Sequence, residues 1–257
     1  VIRPGFAVLI SLLLSACVTT TTSRFDDQRD LDQAVQTYIQ IGYRHFANNN
    51  LFEAKQALNE ALALDDKAAG AHLGLARVFE AEQEIELADA HFQRAIRYDG
   101  GTEAVFQYGV FLYNEGDYRA ARNRFADATD DAFYQRRARS FEYLAVSERR
   151  LDHIDAAINA YQRAVTLDER LVNAHLALAD LQFEQGNAAA AWQAYQGFAD
   201  LVATDQAQYG PYSLWLGIRI ADACGYDDWR QALAAQLQQK FADSEEYQRF
   251  LSWREEA

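Results

Sequence analysis

The side chains able to do covalent or metal chemistry in this chain are few and scattered. Cysteine occurs only at positions 17 and 224, and neither lies in a Cys-x-x-Cys or mixed Cys/His cluster that could hold zinc or cycle as a redox pair. Five histidines are spread along the chain. Asp26-Asp27 and Asp130-Asp131 supply paired carboxylates, but neither pair is followed by the glycine and distal glutamate that a calcium loop needs, so both read as solvated charges. No Gly-x4-Gly-Lys-Ser/Thr, Gly-x-Ser-x-Gly or His-Glu-x2-His occurs, so phosphate cradle, nucleophile elbow and zinc helix are all missing. No enzyme activity, metal or small-molecule substrate is expected.

The exception is the context of Cys17. Arg3 precedes an apolar run from Phe6 to Leu14, which ends in Ser15-Ala16-Cys17: charged, apolar, small, then cysteine. Residues 1–16 therefore read as a signal peptide, and Val1, in a chain with no methionine, as an alternative start codon with the leader complete. The run is short of the roughly 20 apolar residues that span a bilayer. Leu14-Ser15-Ala16-Cys17 resembles the lipobox of bacterial lipoproteins, which implies that the thiol of Cys17 takes diacylglycerol, the leader is cut before it, and the new amino group is acylated. No cofactor is expected beyond this covalent lipid. Several acyl chains together give stable attachment, at about 0.8 kcal/mol per buried methylene. In lipoprotein terms Val18, where an aspartate would signal retention at the inner membrane, implies the periplasmic face of the outer membrane. Residues 17–30, with four consecutive threonines, read as lipidated cysteine and flexible tether.

The folded body is then expected over 31–257. Half of the chain is hydrophobic, with only 13 Gly and 2 Pro, which favours an all-α fold. The formal charge of -14 repels phosphates at long range, so nucleic acid is not an expected partner. From Leu31 the chain repeats itself. Ala54-x3-Leu58-x2-Ala61 returns as Ala88-x3-Phe92-x2-Ala95, Ala121-x3-Phe125-x2-Ala128 and Ala157-x3-Tyr161-x2-Ala164, at intervals of 34, 33 and 36 residues. A fifth copy, Ala191-x3-Tyr195, has Phe198 in place of the last alanine. Upstream of each copy stands a large-small pair: Ile41-Gly42, Leu75-Ala76, Tyr108-Gly109, Leu144-Ala145 and Leu178-Ala179. This is the tetratricopeptide pattern, in which helix A and helix B of each unit cross at the small residues and stacked hairpins form a right-handed superhelix with a concave face. Turns are visible at Asn48-Asn49-Asn50, Glu115-Gly116-Asp117 and Gln185-Gly186-Asn187. A sixth, divergent unit runs from Leu216-Gly217 to about Gln236, with Trp229 where alanine is expected, and a capping helix follows from Ser244 to about Glu255. His72 and His175 share one repeat position and read as packing residues.

Helix A positions 2, 5, 9 and 12 share one face because steps of three and four return to it, and that face should line the groove. The first unit presents Gln36, Ile39, Tyr43 and Phe46; the second Leu73, Arg77 and Glu80; the third Phe106, Val110 and Tyr113. The expected partner contacts are Ile39, Tyr43, Phe46, Leu73, Arg77, Phe106, Val110 and Tyr113, a mainly apolar floor suited to an apolar or amphipathic segment. Arg139, Val146 and Arg149 then make the groove basic in the fourth unit, and Leu176, Asp180 and Phe183 follow in the fifth. The Lys-Asn clamp by which some such repeats grip a terminal carboxylate is missing, since Ile39 and Tyr43 hold its positions.

Tyr108-Gly109-Val110-Phe111-Leu112-Tyr113, Leu216-Gly217-Ile218-Arg219 and Glu246-Tyr247-Gln248-Arg249-Phe250, within a lipobox-tether-repeat layout, resemble the type IV pilus biogenesis/stability lipoproteins, the PilF/PilW pilotins. The resemblance implies an outer membrane lipoprotein that escorts secretin subunits to the outer membrane and promotes their assembly into the pore through which the pilus passes. A general lipoprotein adaptor that scaffolds cell wall enzymes would share the repeat and the lipid. The anchor is testable by itself: Cys17→Ala should leave an unlipidated precursor, read by loss of fatty-acid-analogue incorporation, and label retained by that variant would refute the assignment.

Overall fold

The computed structural model describes residues 24–256, which form thirteen α-helices and, among the described residues, no strand. Twelve of them pair into six hairpins: α1 (Arg24–Ala47) with α2 (Leu51–Leu64), α3 (Ala69–Ala81) with α4 (Ile85–Arg97), and α5 (Gly101–Asn114) with α6 (Tyr118–Asp130). Then come α7 (Arg137–Arg150) with α8 (Ile154–Leu167), α9 (Val172–Glu184) with α10 (Ala188–Ala203), and α11 (Pro211–Ala223) with α12 (Asp227–Phe241). The last helix, α13 (Glu245–Glu256), packs on α11 and α12. The first helices of neighbouring hairpins touch directly, α1 with α3, α5 with α7 and α9 with α11, so they form the inner wall of the array.

One expectation needs correction. Helix α1 starts at Arg24, so the last residues assigned to a flexible tether, 24–30, are helical. Nothing in Arg24–Leu31 stops the helix, since the stretch has no Gly or Pro, and extending an existing helix gains one hydrogen bond for each residue ordered. Gln28 Nε2 also donates to Asp32 Oδ1 at 2.9 Å, four residues on. The signal peptide and Cys17 lie outside the described residues.

Each hairpin closes by the same device. The turn residue Asn49, Gln83, Gly116, Asp152, Gly186 or Gly225 takes a left-handed conformation, with φ between 60° and 83°. The next residue's N–H donates back five positions, as in Asn50 N to His45 O, Glu84 N to Phe79 O and His153 N to Glu148 O, each 2.9 Å. This is the Schellman ending, which satisfies carbonyls that the helix leaves orphaned. Glycine is the least strained occupant, but Asn and Asp tolerate the region. The closing hydrogen bonds hold Gln83 there too.

The repeated alanines Ala54, Ala61, Ala88, Ala95, Ala121, Ala128, Ala157, Ala164 and Ala191 are all fully buried. The large residue of each motif fills the space beside the small residues: a Cβ added to Gly42 would lie 2.5 Å from Leu58 Cγ, and one on Gly109 would lie 2.8 Å from Phe125 Cε1. Tyr195 reaches Gly217 of the next unit, and its hydroxyl donates to Ser213 O at 3.0 Å, so its polar tip is paired while the ring is buried. In the divergent sixth unit Leu233 and Leu237 take over as buried residues, while Trp229 is 41% exposed and lies edge-on to Trp192 with ring centroids 5.3 Å apart. On α13, Phe250 and Trp253 cover Trp215 with centroids 6.3 and 5.8 Å away, closing the end of the core. Replacing Ala88, Ala121 or Ala157 by Leu should overpack a hairpin and cost about 1–3 kcal/mol. Thermal melting should show a lowered midpoint for each, and three unchanged midpoints would contradict this packing.

Candidate functional site

The inner wall is made by the exposed stripes of α1, α3, α5, α7, α9 and α11. Of the residues expected to meet a partner there, Ile39, Leu73 and Phe106 are 7%, 8% and 3% exposed and belong to the core, not to an open surface. They occupy one repeat position, and at that position the side chain points into the gap between neighbouring hairpins. Phe106 is further roofed by the Arg136 guanidinium, 4.6 Å from its ring centroid. Tyr43, Phe46, Arg77, Val110 and Tyr113 are half-buried and line the wall.

These five are held in place. The Tyr43 hydroxyl donates to Gly70 O across the unit boundary at 3.2 Å, and burial pushes its pKa up to about 12, so it stays neutral. Arg77 lies over the Phe46 ring at 4.6 Å, joining the first two units through a cation–π contact. Tyr113 accepts a hydrogen bond from Arg150 Nε at 3.1 Å and packs against Tyr118 at 5.1 Å between centroids. A stiff, half-exposed aromatic surface loses little entropy when it is covered.

The basic stretch expected in the fourth unit is neutralised. Arg139 pairs with Glu142 at 3.1 Å, and Arg149 reaches Asp180 at 2.9 Å and Glu184 at 3.8 Å. A cavity of about 210 Å³ between α7 and α9, lined by Arg139, Glu142, Tyr143, Val146 and Asn173, thus has balanced charge. Glu103, Tyr134 and Arg136 form a further network, the Tyr134 hydroxyl donating to Glu103 Oε2 at 2.8 Å and Arg136 bonding the other oxygen. These hydrogen bonds hold the Glu103 carboxyl below its ordinary pKa despite burial. Residues 31 and 33 apart in sequence meet here, which the repeat spacing alone did not indicate.

The remaining reactive groups have structural work. His72 Nε2 meets Asp66 O at 3.0 Å and His175 Nε2 meets Glu169 O at 3.0 Å, so both rings pin the loop that leads into their helix. Asp131 is not merely solvated: it accepts from Thr102 Oγ1 at 2.6 Å and from Phe133 N at 3.0 Å, fixing the entry to α7. Cys224 is a half-buried free thiol near Ala188 O at 3.3 Å, and burial pushes its pKa up. Among the described residues no three His, Cys, Asp or Glu side chains are grouped to hold a metal ion.

His72 and His91 face each other with Nδ1 atoms 3.1 Å apart. His72 Nε2 donates to a carbonyl, so in the neutral pair His72 Nδ1 accepts and His91 Nδ1 donates. Burial, mutual repulsion and Arg94 lower the His91 pKa to about 4, and burial lowers that of His72. The unfolded chain therefore binds protons that the folded chain refuses below about pH 6.5, and stability falls as pH drops from there toward 4. His91→Gln should flatten that part of the pH–stability curve in denaturant titrations, and an unaltered slope would rule the pair out as its source.

A family model for the TPR repeat matches residues 149–186. The type IV pilus assembly protein PilF of Pseudomonas aeruginosa is 31% identical over 251 residues, covering 97% of this chain and 98% of that protein. A solved structure from the functional characterization of Pseudomonas aeruginosa PilF superposes with a TM-score of 0.74 over 87% of this chain and 99% of its own, again at 31% identity. The crystal structure of PilW, described as a widely conserved type IV pilus biogenesis factor, superposes with a TM-score of 0.65 at 21% identity, over 85% of this chain and 99% of its own, and supports the fold.

Proposed function

The chain belongs to the family of the type IV pilus assembly protein PilF, and from that premise we propose that it is an outer membrane lipoprotein that binds secretin subunits and promotes their assembly into the pilus pore. The reading rests chiefly on the half-buried strip Tyr43, Phe46, Val110 and Tyr113 on the inner wall of the first three units. An apolar or amphipathic segment laid along it would cover aromatic surface that is already rigid, at roughly 25 cal/mol for each Å² removed from water. No helix among the described residues is long and apolar enough to cross a membrane. Attachment would then come from lipid on Cys17, at the periplasmic face of the outer membrane. Confining the bound subunit to that surface raises its effective concentration for multimerisation without any bond being made or broken. The protein acts in this reading as a binding scaffold and not as an enzyme.

Tyr43→Asp or Val110→Asp would place a charge against the apolar segment, which is costly when unpaired. Secretin co-purification should drop at least tenfold with helix content retained by circular dichroism, whereas Gln56→Asp, on the exposed face of α2, should leave capture unchanged. Folded Tyr43→Asp and Val110→Asp proteins that capture secretin at full yield would place the contact elsewhere.

A further inference from the structure

Most of the arginines along the inner wall have an acid to answer them. Arg136 has Glu103, Arg139 has Glu142 and Arg149 has Asp180, while Arg77, without an ion pair among the described residues, lies over the single ring of Phe46. Arg219 on α11 differs. Its guanidinium forms no ion pair or hydrogen bond with a described residue; it lies over the Phe183 ring at 5.0 Å and the Trp215 ring at 5.4 Å. Its Nε is buried and without a hydrogen-bond partner. Trp215 cannot move aside, because Phe250 and Trp253 of α13 hold it from behind.

A cation partly withdrawn from water needs an anion, and a planar guanidinium held against two rings keeps its donors aimed with little entropy left to lose. The chain is strongly acidic, with a formal charge of -14, yet no described carboxylate pairs with Arg219, whose buried Nε lacks a partner. We propose that Arg219, with Phe183 and Trp215, forms a carboxylate-binding subsite at the C-terminal end of the groove. Its occupant is a protein segment carrying a carboxylate beside an apolar group, either a chain terminus or an Asp or Glu side chain. Phe183 and Trp215 receive the apolar part, and the guanidinium takes the carboxylate oxygens in a charge-assisted pair. The subsite lies five units away from Ile39 and Tyr43, and it does not depend on the apolar strip of the first three units.

The test uses the full ¹⁵N-labelled chain in detergent micelles and three small probes: N-acetyl-phenylalanine, its C-terminal amide, and N-acetyl-glutamate α-amide. At millimolar concentration the first or third should shift the Arg219 Nε–H and Trp215 indole N–H signals, the one that does so identifying a terminal or a side-chain carboxylate. The neutral amide should not. In Arg219→Gln the Trp215 shift should be lost with the rest of the spectrum unchanged. Carboxylates that leave both signals still, or an amide that moves them equally, overturn the proposal. Because no secretin is present, this result is separate from that of the Tyr43 and Val110 variants.

Discussion

How closely helix A and helix B of one hairpin can approach decides the geometry of the whole array. At Gly42 there is no room for a side chain, because Leu58 already occupies the place where a Cβ would stand. Gly109 with Phe125 repeats the arrangement, alanines take the part elsewhere, and Gly217 with Tyr195 sets the same close approach between successive hairpins. Since each hairpin contacts little beyond its neighbours, its crossing angle is passed on to the next unit, and small differences accumulate into the curvature of the solenoid. The inner wall inherits its spacing from these contacts.

That dependence explains why the wall is less greasy than its residue types imply. Stacking the hairpins uses up one large apolar residue per unit, Ile39, Leu73 and Phe106 in the first three, so these serve cohesion before recognition. What stays available are side chains one and two turns further along the helix, mainly aromatic in the first units. Toward the middle the wall carries charge, but arginine and carboxylate from successive units neutralise each other. Partly exposed pairs of this kind contribute modestly to stability. Their larger effect is to leave the groove without net attraction for anions except where an arginine lacks its acid.

The turns show a related economy. All six hairpins end in a left-handed residue followed by the same backbone hydrogen bond, although only three of those residues are glycine. The conformation is therefore set by the closing hydrogen bonds and by the packed helices on either side, and the residue's own preference only lowers or raises the strain.

Much of the architecture is written in the chain because its main contacts are local. The small residue of helix A and the large residue of helix B lie 16 residues apart in Gly42–Leu58 and Gly109–Phe125, and such contacts recur at nearly constant intervals, so a period in the sequence becomes a period in space. The helical class, the number of hairpins, the small-residue crossings and the closing helix are all legible on that ground. The turns at Gln83 and Asp152 carry no glycine and were hidden, as was the start of α1 at Arg24, since helix extension needs no local signal beyond the lack of a stop. The groove itself was decided by tertiary structure. Arg122–Glu148, Arg136–Glu103, Arg149–Asp180 and Arg150–Tyr113 join residues 26 to 37 apart through long side chains. Whether such chains meet depends on the rotation between units and on rotamers that no spacing encodes. For the same reason Arg136 and Arg219 look alike in the sequence, and only the folded chain gives one of them a carboxylate.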